Sequence, residues 1–510
     1  MLGNALLIKR RYHCGAYART YAAVRIMTNP HQPPEKDKTD VVSPQNGVEQ
    51  TLHPALDRRT MAGIGAVIVL IGSSLLRAFG GPGWLYLPTA VAATVLIIAG
   101  YARINQKLRT TSLVLFAAGI VLVPFAKDPL AAVQRGVFVA GLLLSLTSSV
   151  MLIARCAVQS TRIQMIGAGL RERQGTGRYM AFAVTAQFFS GILGLAGANL
   201  TFVMAAPAAE KPSQVRTDTV VAVSRGFTAA SCWSPVFGNM AVLLALYPTL
   251  HWIEVFPVGL GVGQLTLIVG ALLYRAGNKA HPPPASTPTP ITGLLVNAFP
   301  LLISLIGFLV LILSLSRALH IVVSAAIVLM APIVSLVFNA AMGREGHRWR
   351  DGAKGLGQSM LLFPAMASEA ALFLSAGCAG SIMADAFPAS WALAAGETLS
   401  SHPVFGISFL LVAIMMAALV GIHPVLSSVF LASTMTPQLL GLPPIAHMAA
   451  ILAGWGLSAS VTPFSVLSLT ASRYSGEGLY QISLGRNAAF AVVTSGVVCA
   501  LLAAYVLIVT

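Results

Sequence analysis

The chain has 510 residues, of which 56% are hydrophobic and only 9% charged. Soluble domains carry about 25% charged residues, so this composition excludes an ordinary soluble enzyme. It also excludes disorder over most of the length. The formal net charge of +16 would suggest nucleic acid in a soluble protein. Here the Lys and Arg sit in short loops between apolar runs, the pattern that sets membrane orientation, and no nucleic-acid partner is expected. At roughly 20 residues per crossing, the length allows about ten to twelve spans. The five cysteines are scattered singly, with no spacing that suggests a disulfide framework or a metal site.

Residues 1–60 form a separate zone, expected to be a disordered cytoplasmic tail. The first 34 lack Asp and Glu and carry Lys9, Arg10, Arg11, Arg19 and Arg25. That pattern fits either a transit peptide or a start placed too early, with Met27 as the alternative start. A Pro-rich polar stretch follows.

From Met61 the chain is a series of apolar runs. Met61–Phe79 and Trp84–Tyr101 are joined by Gly80-Gly81-Pro82-Gly83, a turn signal. Ser112–Phe125 and Ala131–Ile153 follow, then a basic stretch with Arg155, Arg162, Arg171, Arg173 and Arg178. Tyr179–Pro207 is apolar and glycine-rich. Val220–Leu246 is interrupted by Ser231-Cys232-Trp233-Ser234-Pro235. Trp252–Tyr274 is an unbroken span. Residues 276–290, with Pro282–Pro284, read as a cytoplasmic linker, which separates a first repeat with extra N-terminal spans (61–275) from a second (291–510).

In the second half, Ile291–Leu315 and Ile321–Met342 are spans, and Arg344–Lys354 is a basic loop. Leu356–Gly380 reads as one span with Glu369 near its middle. Ser381–Pro403 is a connection. Val404–Leu440 is broken at His423-Pro424, Pro444–Ser472 is broken at Thr462-Pro463, and Asn487–Val509 closes the series. With the N-terminus inside, Tyr179–Pro207 re-entrant from inside and Val404–Leu440 re-entrant from outside, only four of the 32 Lys and Arg fall outside: Arg77, Lys127, Arg135 and Arg317. That asymmetry supports the threading.

The halves superimpose at an offset of 228. Gly226–Pro235 then matches Gly454–Pro463: Gly, an aromatic, small residues, a hydroxyl residue, Pro. Gly194–Ala205 falls near Gly421–Ala432 at an offset of 227. The threading gives the copies opposite orientations. The expected fold is therefore an all-α polytopic membrane protein of two inverted repeats, each with a re-entrant hairpin and a broken helix, an arrangement of secondary transporters. Proline removes a donor and frees carbonyls in the preceding turn, and in hydrocarbon these must be satisfied. Two related breaks packed with hydroxyls point to a polar pocket. Helix N-termini there suit an anion, and freed carbonyls and hydroxyls suit Na⁺. The candidate substrate-binding residues are Asn199 and Thr201 on the first hairpin, Ser231, Ser234 and Pro235 at the first break, His423, Ser427 and Ser428 on the second hairpin, and Ser460, Thr462 and Pro463 at the second break. The alternative reading makes these proline kinks, a helix–helix hydrogen bond and a satisfied histidine.

These features resemble the Ion Transporter superfamily, which includes divalent-anion/sodium symporters, citrate-metal symporters, arsenite-efflux pumps and one class of Na⁺/H⁺ antiporter. In the divalent-anion branch both hairpin tips carry Ser-Asn-Thr. Here the first keeps Asn199 and Thr201, and the second has His423-Pro424 and Ser427-Ser428 instead, so the subfamily stays open. The resemblance implies a homodimer with a static scaffold and a mobile transport domain in a bacterial inner membrane.

Glu369 is the intramembrane carboxylate, a candidate for proton coupling or a structural pair. Arg225 and Arg473 flank the broken helices on the inner side, where inner-face orientation accounts for them, the alternative being attraction of an anion. Glu254 and Asp385 are expected near the outer surface. The expected function is secondary transport of a small ion, an organic anion of di- or tricarboxylate type, coupled to Na⁺ or H⁺. The alternatives are a proton-coupled exporter of a metal oxyanion or Na⁺, a channel, and an integral-membrane enzyme. For the enzyme only the sparse set Asp385, Glu397 and His402 offers itself. No catalytic residue, cofactor or resident metal is expected.

Overall fold

The computed structural model describes residues 57–104, 106–158, 161–206, 213–277, 291–344 and 346–509. All belong to the unit His53–Thr510. The expected tail lies outside them up to residue 56, as does the linker over 278–290. Among the described residues every regular element is helical. Eight helices are long and apolar enough to cross a membrane, and the protein is an all-α polytopic membrane protein.

The first half runs α1 (Arg58–Ala78), α2 (Tyr86–Ala99), α3 (Gln106–Leu122), α4 (Pro129–Val158), α5 (Thr161–Arg171), α6 (Gly175–Leu193), α7 (Leu195–Ala205), α8 (Gln214–Ser231), α9 (Gly238–Leu246) and α10 (Trp252–Gly277). The second runs α11 (Ile291–Leu319), α12 (Val323–Ala341), α13 (Arg348–Met360), α14 (Ala367–Ala386), α15 (Ala389–Leu399), α16 (Pro403–Leu419), α17 (Pro424–Thr434), α18 (Pro444–Val461), α19 (Val466–Ser475) and α20 (Arg486–Val509). Adding 228 to α5, α6 and α9 gives the starts of α15, α16 and α19.

Each helical hairpin turns at a glycine with positive φ: Gly194 (φ 55°) between α6 and α7, and Gly421 (φ 93°) between α16 and α17. A side chain would be strained there. The broken helices α8–α9 and α18–α19 run antiparallel to one another. Near the start of α8, Arg216 Nε donates to Tyr474 O at the end of α19 (2.6 Å). At the centre, Thr228 Oγ1 donates to Gly456 O (3.1 Å). Beyond α9, Tyr247 Oη meets His447 Nδ1 near the start of α18 (2.5 Å). The partners step down one broken helix as they step up the other. Thr228 and Gly456 are repeat mates, so the pseudo-two-fold axis passes between them and the repeats are inverted.

A second antiparallel pair, α4 with α14, packs backbone against backbone. A Cβ on Gly136 would lie 2.5 Å from Cys378 Cα. Arg135 on α4 and Asp385 on α14 close one end of this pair (3.2 Å), so Asp385 is ion-paired. Glu254 Oε2 instead accepts from the backbone N–H of His251 (2.6 Å).

The span expected over Leu356–Gly380 lies within one candidate span, Arg348–Ala386, which a 3₁₀ turn interrupts. Pro364 lies in a 3₁₀ turn, Phe363–Met366, between α13 and α14. Proline lacks the N–H that a helix needs and fits the first turn of a new one. Glu369 therefore stands in the first turn of α14, still near the middle of the span Arg348–Ala386. Pro364 packs on Gly63 near the start of α1.

Candidate functional site

At both breaks the same chemistry recurs in the same positions. Ser234 Oγ donates to Gly191 O, in the last turn of α6, and accepts from Val236 N (3.1 Å). Its mate Thr462 Oγ1 donates to Ala418 O, in the last turn of α16 (2.7 Å), and accepts from Phe464 N (3.2 Å). Each hydroxyl stands directly before a buried proline, Pro235 or Pro463. Each thus ties a break to the hairpin of its own repeat and closes a local turn. The expected residues Ser234, Pro235, Thr462 and Pro463 are placed as repeat mates, with both hydroxyls engaged by the backbone.

The carbonyls freed by the prolines have donors. Asn239, in the first turn of α9, donates from Nδ2 to Ser231 O (3.0 Å), and Trp252 Nε1 donates to Trp233 O (2.8 Å). At the second break Ser465 Oγ donates to Ala459 O (2.5 Å). Ser468 Oγ reaches Ala459 O at 3.4 Å and Ser460 O at 3.5 Å. Asn487 Nδ2 donates to Ser460 O (3.3 Å). A carbonyl has two lone pairs, so Ser231 O and Trp233 O, with one side-chain donor each, retain acceptor capacity for a cation, whereas Ala459 O and Ser460 O each have two donors.

Ser231 and Ser460 are buried and bond within their own helices, to Thr228 O (2.8 Å) and Leu457 O (3.0 Å). Ser231 is at the crossing, since a side chain on Gly456 would run into its hydroxyl. His423 caps α17, accepting from Val425 N at Nδ1 (3.2 Å), with its ring 6.5 Å from that of Trp455 on α18. It therefore joins the second hairpin to the second broken helix. Ser427 Oγ bonds to Pro424 O (3.3 Å). Ser428 is fully buried, and its hydroxyl has no partner among the described residues. Thr201 bonds back to Gly197 O (2.8 Å).

Two expected residues are not brought to the crossing. Asn199 is exposed on α7, although Ser427 and Ser428 on the related helix α17 are buried. Glu369 lies eleven residues before Gly380, where α17 packs on α14, about 16 Å along the helix at 1.5 Å per residue. One of its carboxyl oxygens is buried without a partner among the described residues.

Arg225 was expected as an inner-side flanking charge. It is instead buried in α8, at 7% exposure. Its guanidinium donates to Asn487 Oδ1 (3.0 Å), Tyr179 Oη (3.1 Å), Gly270 O (3.3 Å) and Arg486 O (2.8 Å). It also stacks over Phe490 at 4.6 Å. All these partners are neutral acceptors. Asp218, two turns earlier on α8, pairs with Arg486 (3.8 Å). Asn487 relays Arg225 to Ser460 O, so a buried cation with no carboxylate partner among the described residues is linked to both broken helices. Arg473, its expected counterpart, is exposed.

Asn239, Trp252, Ser465, Ser468 and Asn487 escaped the sequence analysis. Asn239 and Ser468 had a signal: both fall four or five residues after a break proline, where a helix restarts and a side chain can reach back. Asn487 had none.

No family model and no curated protein sequence matches the chain. Among solved structures the chain is similar to the Alcanivorax borkumensis YdaH transporter, described as having an unusual topology. The TM-score is 0.49 at 16% identity, over 78% of this chain and 97% of that one. At that identity and score the likeness does not decide function, which rests on the geometry above.

Proposed function

We propose that the chain is a secondary active transporter moving a small organic anion of di- or tricarboxylate type, coupled to Na⁺ or H⁺ by alternating access. One observation carries this reading: two proline-broken helices, mates in an inverted repeat, cross antiparallel at Thr228 and Gly456. Broken backbone at membrane depth is tolerated where it is buried in protein or lines a cavity. Such breaks at a repeat interface form the central solute sites of transporters.

The hairpins fit a re-entrant role. α7 and α17 have 11 residues each, about 16 Å of helix against a hydrocarbon core of roughly 30 Å. Ser234 and Thr462 bind each hairpin to its own break, so hairpin and broken helix move together. Asn199, Thr201, Ser231, His423, Ser427, Ser428 and Ser460 remain the candidate solute and ion contacts. Arg225 favours an anion over a cation, because an unpaired buried guanidinium raises the local potential in a low dielectric. The N-termini of α9 and α19 add to it. A homodimer in a bacterial inner membrane, with the N-terminus cytoplasmic, completes the reading.

A second reading, a proton-coupled exporter of a metal oxyanion or Na⁺, draws on the unpartnered carboxyl oxygen of Glu369. Its distance from the α17 contact favours the first reading.

The test is thermal unfolding of the detergent-purified chain with succinate, citrate, sulfate and arsenite, each in Na⁺ and in choline. A ligand at 100 times its Kd adds about 2.7 kcal/mol to the folded state. A carboxylate that stabilises only with Na⁺ supports Na⁺ symport. A carboxylate whose effect is independent of Na⁺ and grows at low pH supports H⁺ coupling. No shift with any carboxylate, together with a shift with arsenite that Glu369→Gln removes, overturns the organic-anion assignment.

A further inference from the structure

At the 228 offset α13 does not fall on a single helix of the first half. Subtracting 228 from α13 gives 120–132, which spans the end of α3, the 3₁₀ turn Val123–Phe125 and the start of α4. α13 alone, at 13 residues or about 20 Å, is shorter than a bilayer crossing and forms the polar start of the candidate span Arg348–Ala386. One face carries Gly352, Gly355 and Ser359 and seats on the last turns of α12. A Cβ on Gly352 would lie 2.9 Å from Ala340 Cβ and Leu336 O. Arg155, at the end of α4, donates to Gln358 O (3.0 Å) and fixes the helix from a second side.

The outward face is basic and aromatic. Arg348, Arg350 and Lys354 are exposed, and none makes an ion pair with a described residue. The nearby carboxylate Asp351 is taken by Arg344, whose Nε lies 3.1 Å from it. Trp349, between the two arginines, is 67% exposed. Nothing in the described chain covers this face. A short amphipathic helix at the end of a spanning helix, basic with an exposed tryptophan, lies in the membrane interface, where Trp sits at headgroup level and cations meet anionic lipid.

We propose that α13 is a docking surface for the headgroups of anionic phospholipids, with Arg348, Arg350 and Lys354 contacting the phosphodiester and Trp349 inserted beside it. The ligand is the phosphate of a lipid held at the inner leaflet. The site is separate from the helix crossing and stands whether or not the transport reading does.

The test uses the full chain in detergent, with native mass spectrometry and thermal unfolding read on addition of dioleoyl-phosphatidylglycerol, dioleoyl-phosphatidylcholine or inorganic phosphate. Phosphatidylglycerol is expected to bind and stabilise more than phosphatidylcholine, and the preference should fall with added salt. Neutralising Arg348, Arg350 and Lys354 together to Gln should weaken phosphatidylglycerol binding roughly 100-fold, at about 1 kcal/mol per charge. The control replaces three exposed cations elsewhere, Lys127, Arg275 and Arg317, by Gln and should retain the preference. If the triple variant does not fold, Lys354→Gln and Trp349→Ala are read singly, and each should lower the preference. Equal binding of the two lipids, an equal loss in the control, or equal protection by inorganic phosphate would overturn the proposal.

Discussion

The two breaks are built on one plan and finished differently. Both hold a hydroxyl before proline that bonds a hairpin carbonyl, and both return a side chain from the restarted helix to a freed carbonyl. The first break is closed by an amide and an indole: Asn239 holds Ser231 O at 3.0 Å and Trp252 holds Trp233 O at 2.8 Å. Its residues around the proline are buried. Beside it lies an apolar cavity of about 70 Å³, lined by Trp233, Pro235 and residues of α6, α11 and α12. The second is closed by Ser465, at 2.5 Å, with Asn487 at 3.3 Å and Ser468 over long contacts of 3.4 and 3.5 Å. Phe464 and Val466 beside it are exposed. Repeat symmetry thus sets where the helices break, while the residues that re-satisfy the backbone set how firmly each break is held. The second is the looser of the two.

The largest effect should come from the group that serves both breaks. Arg225→Met leaves Asn487 Oδ1, Tyr179 and two backbone carbonyls without their shared donor. At 1 to 3 kcal/mol per stranded buried group, unfolding in detergent should show a loss of about 3 kcal/mol or more. Arg225→Lys should recover part of it. A loss below about 1 kcal/mol, by the same accounting, would mean the network joins nothing.

The contrast between the breaks is sharpened by Asn239→Leu and Ser468→Ala. The first strands a buried carbonyl and should cost about 2 kcal/mol. The second removes one of several donors over long contacts and should cost under about 0.5 kcal/mol. Equal losses in chemical or thermal unfolding would erase the difference drawn here. Ser234→Ala and Thr462→Val should each cost about 1 kcal/mol. They should also raise hydrogen exchange in their own hairpin and not in the other, a pattern that checks the pairing of hairpin and break.

The smallest effect lies outside the membrane. The Arg344 guanidinium and backbone N–H hold the carboxyl of Asp351 down to about 2. Because the folded value is depressed below the ordinary 3.9, the stabilisation is fully present above about pH 4. It is lost as pH falls through about 2. Asp351→Asn should remove that part of the acid dependence between pH 4 and 2 by lowering stability slightly at neutral pH, with little change at pH 2. A change at pH 2 as large as that at pH 7 would contradict the assignment.

Much of this was legible in the chain. The glycines at 194 and 421, the paired Ser-Pro and Thr-Pro, and the offset between halves located both hairpins and both breaks, because positive φ and a missing N–H are properties of single residues. What stayed hidden depends on which way a side chain turns. Asn199 has the type and spacing of a tip contact, yet its helix presents it outward. Ser234 and Thr462 look like free hydroxyls and are engaged by the backbone. Arg225 reads as a loop charge by the orientation rule, because nothing local announces that Asn487, 262 residues away, will meet it. The interruption before Glu369 was signalled by Pro364, but the surrounding apolar residues masked it as a continuous span.

The central claim is that the crossing at Thr228 and Gly456 is a solute site that alternates in access. Solute counterflow in proteoliposomes tests it most directly, using the anion that stabilises the purified chain. The account predicts saturable uptake of labelled anion, accelerated by unlabelled anion inside the vesicle and lost when Gly456→Leu drives a side chain into Ser231 while the protein stays folded. Uptake that rises linearly with concentration and ignores the internal anion would contradict it.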